Sequence, residues 1–339
     1  MINKVYRLVS PKFILEELES LDLSSNKVLV KPIVMSICIA DQRYFQGLRP
    51  KAVLNSKLPM SLIHECVGEV IYDPENNFKV GQVVALIPNT PSNTKEEVKE
   101  NYSLTSKFRA SSMDGFMQEY LLMDRDRIVP FNNINIDVAS FIELISVAVN
   151  AIENFDRSYK IKPEVIGIWG SGNLGFILSL LLKFKYNDSK IIVFGKNKTK
   201  LDYFSFVDEV YEIDDIPSDI IISHAFEAVG GKNSEDALNQ IIDIINPQGV
   251  ISLLGVSDNS IKLNTRMILE KGLYLLGNSR SGREDFEKAI EILEENPYIQ
   301  NQLLKLISLK IEVKNTVDII KAFELDNTSQ FKTVIYWNI

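Results

Sequence analysis

The stretch Val165-Ile166-Gly167-Ile168-Trp169-Gly170-Ser171-Gly172-Asn173-Leu174-Gly175 constrains this chain more than any other feature. An apolar, strand-like run leads into Gly-x-Gly-x-x-Gly, and a helical run from Phe176 to Phe184 follows. In that setting each glycine has its own task. Gly170 permits a tight turn, Gly172 lets the backbone approach a pyrophosphate, and Gly175 lets helix and strand pack closely. The N-terminus of the helix then faces the anion. Gly170, Ser171, Gly172, Asn173, Leu174 and Gly175 are therefore the expected dinucleotide cradle, with a ligand-free glycine-rich turn as the competing explanation.

The surrounding pattern agrees with this reading. From Glu164 onward strand-like and helical runs alternate: Val165 to Trp169, Phe176 to Phe184, Ile191 to Phe194, Leu201 to Phe206, Val210 to Ile213, Ala225 to Val229, Ser234 to Ile245, Val250 to Leu254 and Leu273 to Leu276. Right-handed crossovers make this a doubly wound, mostly parallel sheet of the Rossmann type. Before it, from Lys27 to about Pro130, apolar runs are short and broken by Pro and Gly, which predicts a small, irregular β-barrel. The stretch Asn89 to Ser112 is polar and aperiodic and is expected to be a long loop near the site, and Val138 to Phe155 has the spacing of a connecting helix. The expected organisation is a catalytic domain over 1–140, a nucleotide domain over 141–285, and a segment 286–339 that partly returns to the first domain.

The second nucleotide-domain strand ends in Gly195-Lys196-Asn197-Lys198-Thr199-Lys200, where an NAD site would carry Asp or Glu for the ribose hydroxyls. Lysine attracts a 2′-phosphate that a carboxylate would repel, so NADP(H) is the expected cofactor, with Lys196 as its leading contact. A solvated lysine-rich loop is the alternative.

With 339 residues, of which 45% are hydrophobic, the chain can bury more than one core. Its net charge of -8 and lack of a basic stripe argue against nucleic acid. Met1 to Val5 shows no signal pattern, and the apolar stretch Phe176 to Leu182 falls short of the about 20 residues that span a bilayer, so the expected location is cytoplasmic, with no membrane role. Two cysteines, Cys38 and Cys66, cannot make a disulfide framework and suit a reducing compartment. The two histidines are His64 and His224, and the latter, beside an apolar strand run, is expected to be structural.

Cys38 lies in Met35-Ser36-Ile37-Cys38-Ile39-Ala40-Asp41, and His64 in Leu62-Ile63-His64-Glu65-Cys66-Val67-Gly68. Thiolate, imidazole and carboxylate together suit Zn²⁺. With the downstream fingerprint and Asp114-Gly115-Phe116-Met117-Gln118-Glu119-Tyr120, the whole chain resembles the zinc-containing medium-chain alcohol and polyol dehydrogenases. The resemblance implies a GroES-like barrel joined to a Rossmann domain. It also implies Cys38 and His64 as zinc ligands, Glu65 as a ligand or its exchangeable neighbour, and Glu143, in Ser140-Phe141-Ile142-Glu143-Leu144, as a further ligand, unless Glu143 is a helix-face carboxylate. Cys66 reads as a small core residue. The four-cysteine structural zinc lobe of many relatives cannot exist with two cysteines, so one catalytic zinc per chain is expected and no structural zinc. Ala40 stands where relatives place a proton-passing Ser or Thr, which moves the proton path to water or Asp41.

Within this family the likeness is closer to the NADPH-dependent ribulose-5-phosphate reductases of teichoic acid synthesis. It is carried by Met35 to Tyr44, Leu58 to Glu65, Gly167 to Gly170, Phe204 to Asp208, Leu254 to Ser257 and Ser279-Arg280-Ser281-Gly282. It implies NADPH reduction of D-ribulose 5-phosphate to D-ribitol 5-phosphate, a ribitol-5-phosphate cytidylyltransferase as partner that makes CDP-ribitol, and a homodimer or homotetramer. A sugar phosphate needs a cationic anchor, and the candidates are Arg43, five residues after Cys38, then Lys107 and Arg109 in the polar loop. The rivals are a zinc polyol dehydrogenase acting on an unphosphorylated sugar alcohol, a zinc-free quinone reductase, and a nucleotide-binding sensor that keeps the fold without turnover.

Overall fold

The computed structural model describes residues 1–91 and 98–339. Residues 92–97 of the polar stretch Asn89 to Ser112 lie outside the described residues. The chain divides into two compact units, Met1–Ser146 with Arg280–Ile339, and Val147–Ser279.

The first unit is built around the strand Val28–Ser36, which is buried along most of its length. It pairs antiparallel with Glu65–Tyr72, with Leu121–Met123 and with the C-terminal strand Lys332–Trp337. Among the described residues these belong to a seven-stranded sheet that runs from Ile128–Pro130 through Val83–Leu86 to the outer strand Ile307–Val313. Val, Leu and Met fill the central strand because both of its faces are covered. Pro32, which cannot donate to a ladder, sits where the register with Glu65–Tyr72 shifts. A smaller sheet pairs Phe13–Ser20, Ile2–Ser10 and Met60–Ser61. The core between the elements is aromatic: Tyr6 meets Trp337 edge-on at 5.5 Å, and Phe45 stacks on Phe323 at 4.6 Å. Cys66 belongs to this core, as a small hydrophobe, and burial pushes its thiol up.

The second unit is a six-stranded parallel sheet ordered Glu209–Glu212, Lys190–Gly195, Val165–Trp169, His224–Glu227, Val250–Leu253 and Tyr274–Gly277. The order reverses beside the first strand of the unit, which puts the ligand crevice at its carboxyl end. His224 is structural: its Nδ1 accepts from the Val250 amide at 3.1 Å, and its Nε2 donates to the Ile161 carbonyl at 3.0 Å.

Three details differ from the sequence expectation. The unit boundaries fall at 146/147 and 279/280 rather than at 140/141 and 285/286, because the first turn of the helix Ile142–Ser158 and all of Arg280–Ile339 pack within the first unit. The connecting helix is broken into Ile136–Ala139 and Ile142–Ser158, with the Ser140 hydroxyl donating back to the Asp137 carbonyl at 2.7 Å. Helix also stops at Leu201 instead of continuing to Phe206. Among the described residues no helix is long and apolar enough to cross a membrane.

The Asp114-Gly115 turn has a specific packing duty. The amides of Gly115 and Phe116 donate to the Ser61 and Ile63 carbonyls at 2.8 Å each, and a Cβ on Gly115 would lie 2.1 Å from the Leu62 carbonyl oxygen. Backbone cannot retreat there without moving His64. Gly115→Ala is accordingly expected to destabilise the protein by roughly 2–3 kcal/mol, read as a lower denaturant midpoint at unchanged m-value.

Candidate active site

Two chain segments form the site of the first unit. Cys38 caps the short helix Ile39–Phe45, and His64 precedes the strand Glu65–Tyr72. Asp41 ties them together. One of its carboxylate oxygens accepts from the Cys38 amide at 3.2 Å, while the other accepts from the Ile63 amide at 3.0 Å and from His64 Nδ1 at 3.3 Å. Ile63 has φ +66°, a strained value for a β-branched residue, and is held there by Asp41 on its amide and Phe116 on its carbonyl. Because Nδ1 is committed to Asp41, Nε2 is the nitrogen left to face a metal. The ligand atoms of Cys38, His64 and Glu65 all lie within 4.8 Å of one another. Burial opposes charge on His64, but Asp41 and Cys38 outweigh it and hold the imidazole well above its usual range.

Glu65 also faces inward against a cation that the sequence does not announce. Lys332 Nζ, 1% exposed, donates to the two Glu65 carboxylate oxygens at 2.6 and 2.5 Å, and the Ser36 hydroxyl donates to the same carboxylate. The geometry follows from strand register: Ser36 stands opposite both Glu65 and Val334. Lys332 is 267 residues from Glu65, and no local motif marks it. Burial lowers its pKa, but the Glu65 charge outweighs burial and raises it overall.

Glu143, in the first turn of the helix Ile142–Ser158, is buried beside this cluster without being one of its three members. Burial pushes its carboxyl up to about 7, with His64 and Lys332 opposing and Glu65 and Asp41 adding to the shift. A thiol, an oriented imidazole and buried carboxylates form a donor set that fits zinc. Glu65 would have to ligate against its ion pair with Lys332, which leaves Glu143 as the less encumbered carboxylate.

The proposed phosphate contacts are scattered. Arg43 is half-buried on the helix that Cys38 caps, its charge disfavoured by burial and by Arg49. Lys107 is exposed on the short strand Lys107–Phe108. Arg109 is buried: its guanidinium lies over the Phe116 ring at 5.2 Å and donates to the Asp114 carbonyl and the Met123 sulfur. These contacts commit the Arg109 guanidinium to the core around Phe116 and Met123.

In the second unit, Gly170, Ser171 and Gly172 line a pocket together with Gly195, Lys196 and Asn233. Gly170 adopts φ +123° close to the Ala228 carbonyl, a Cβ on Gly175 would collide with the Gly170 carbonyl at 1.8 Å, and a Cβ on Gly172 would meet nothing within 4 Å. The three glycines thus serve turn, packing and approach. Asn173 and Leu174 open the helix Asn173–Lys185, whose first amides follow Gly172. Lys196 donates to the Asn233 side-chain carbonyl at 3.2 Å, and Asp236 is an acidic member of the same pocket. Asn233 and Asp236 carry no local sequence signal, because they reach the pocket from the start of a later helix, Ser234–Ile244, and the turn before it.

The first unit's irregular barrel with a Cys-His-Glu cluster, and the second unit's Rossmann sheet, define a medium-chain dehydrogenase. Residues 24–133 match the alcohol dehydrogenase GroES-like domain, and residues 136–337 match the glucose dehydrogenase C-terminus. The chain is 49% identical to the ribulose-5-phosphate reductase of Bacillus spizizenii and 47% identical to ribulose-5-phosphate reductase 2 of Staphylococcus aureus, covering 100% of each chain in both comparisons. It superposes on the crystal structure of S. aureus TarJ in complex with NADPH with a TM-score of 0.89, at 44% identity and 100% coverage of both. The chain belongs to the ribulose-5-phosphate reductase family.

Two predictions test the site's electrostatics. Lys332→Met leaves Glu65 buried and unpaired, and is expected to cost roughly 3–5 kcal/mol. Adding Glu65→Gln should recover part of that loss in denaturant titrations. For Glu143, a folded pKa near 7 against an ordinary 4.5 means that its stabilising contribution in metal-free protein is present below 4.5 and lost as pH rises through about 7. Chelator-treated Glu143→Gln, neutral at every pH, should show a smaller fall in melting temperature between pH 5 and 8.

Proposed function

We propose that this protein reduces D-ribulose 5-phosphate to D-ribitol 5-phosphate with NADPH, as an oxidoreductase acting on a CH–OH group. The observation that carries the proposal is a Cys38-His64-Glu65 cluster, with His64 and Glu65 buried and Cys38 half-buried, within a chain 49% identical, end to end, to a ribulose-5-phosphate reductase. Cys38, His64 and either Glu65 or Glu143 would hold one zinc ion per chain, which would supply Lewis-acid polarisation of a ketone oxygen at this site. NADPH supplies the hydride.

The chain's own residues prepare both events. Asp41 keeps the His64 imidazole in the tautomer and orientation a ligand needs. Lys332 neutralises Glu65, so the buried cluster carries less uncompensated negative charge before a cation binds. Gly172 leaves open space for a pyrophosphate at the helix N-terminus. Lys196 would meet the 2′-phosphate, and its ammonium donates to Asn233 at 3.2 Å. Ala40 offers no hydroxyl, so the proton for the product would come through water or Asp41, whose carboxylate already accepts from His64 and two amides. The ribitol 5-phosphate would pass to a cytidylyltransferase for CDP-ribitol in teichoic acid synthesis. We place the enzyme in the cytoplasm, as a homo-oligomer.

The test is NADPH consumption by metal-analysed protein on D-ribulose 5-phosphate, D-ribulose, D-xylulose 5-phosphate and D-fructose, with NADH as the alternative donor. Turnover is expected on D-ribulose 5-phosphate with NADPH, loss of zinc and activity together in Cys38→Ser, and a loss of NADPH preference in Lys196→Ala. Activity confined to unphosphorylated sugars would assign a polyol dehydrogenase, and full zinc retention in Cys38→Ser would remove that residue from the metal site.

A further inference from the structure

A dianionic substrate entering this site meets Asp41, Glu65 and Glu143 at close quarters, so a cation must receive its phosphate. Lys332 is engaged on both oxygens of Glu65. Arg109 is buried, with its guanidinium over the Phe116 ring and bonded to the Asp114 carbonyl and the Met123 sulfur. Arg280 is differently placed. Its guanidinium lies over the Phe108 ring, 4.6 Å from the centroid, and the same ring packs against the His64 imidazole at 5.6 Å. One aromatic ring therefore separates the guanidinium from a metal ligand. Arg280 is half-buried and feels the charge of Glu143.

The backbone that carries Arg280 is held in an unusual state. Arg280 has φ +59°, in the left-handed region that non-glycine residues rarely adopt. Neighbouring contacts keep it there. Ser281 shares a hydrogen bond of 2.7 Å with Ser146, and the Gly282 amide donates to Asp285 at 2.8 Å. The Arg283 amide donates to Glu100 at 2.6 Å. A strained residue held by its surroundings at the wall of a site is a common sign of function. Packing over Phe108 restrains the guanidinium, whose planar fork suits two-pronged recognition of phosphate.

We propose that Arg280, held over Phe108, is the residue that binds the 5-phosphate of the substrate and sets the preference for phosphorylated over free ketose. This rests on the proposed reduction of D-ribulose 5-phosphate. Selectivity then comes from the segment Ser279-Arg280-Ser281-Gly282, whereas the metal is held by residues far upstream in the chain.

The experiment compares kcat/KM for D-ribulose 5-phosphate and for D-ribulose in zinc-loaded, full-length wild type, Arg280→Ala, Arg280→Lys and Arg43→Ala, with inorganic phosphate as a competing ligand. Arg280→Ala is expected to reduce the ratio of the two kcat/KM values by about 30-fold or more, and to weaken inhibition by inorganic phosphate in parallel. Arg280→Lys should restore part of both, because it returns the charge without the planar fork. Zinc content and NADPH binding serve as the folding control. An equal loss on both substrates, or a collapse of the ratio in Arg43→Ala with Arg280→Ala unchanged, would overturn the assignment. A wild-type enzyme that did not prefer D-ribulose 5-phosphate would instead overturn the functional proposal beneath it, and the assignment with it.

Discussion

The ion pair between Glu65 and Lys332 is the contact on which the first unit depends. Both side chains are essentially out of water, and neither charge could be buried there alone. The pair therefore requires the C-terminal strand to lie beside Val28–Ser36, because only that register sets Lys332 near the row that joins Val334, Ser36 and Glu65. Closing the barrel and setting the charge of the metal site are one event. A displaced final strand would expose an edge and also strand a carboxylate in the core.

Around that pair the site is tied together by hydrogen bonds to backbone. Asp41 spends its oxygens on two amides and one imidazole, and each bond holds a different part of the ligand set. Ile63 accepts an unfavourable backbone angle in order to turn His64 inward, and the Asp114-Gly115 turn presses on its carbonyl from the other side. Strain at Ile63 is tolerated because Asp41, Phe116 and the closely packed glycine all fix the same conformation. A metal ligand that need not reorganise on binding keeps more of its intrinsic affinity.

What the sequence disclosed, and what it did not, follows from distance along the chain. The Rossmann turn was legible because its strand, glycines and helix are contiguous, and each glycine's duty can be worked out from local sterics. Cys38 and His64 were legible because the chain holds only two cysteines and two histidines, and Glu65 joined them through the family resemblance. Lys332 was not, because its role is created by strand pairing across 267 residues. Asn233 and Asp236 were hidden for the same reason: they come to the pocket by way of a crossover. The helix break between Ala139 and Ile142 was invisible to periodicity, which continues through it.

The cations make the sharpest case. Arg109, in the polar stretch near the site, was a candidate phosphate contact on sequence, and Arg280 was not. Structure separates them through Phe108. Neighbouring residues in an extended segment point to opposite faces, so once Phe108 packs on His64, Arg109 must face the other way, against Phe116 and Met123. The ring that commits Arg109 to the core is the one on which Arg280, from the far end of the chain, comes to rest. An alternation of two residues thus decides which arginine stabilises the barrel and which is left at the wall of the site, and neither composition nor motif spacing contains that decision.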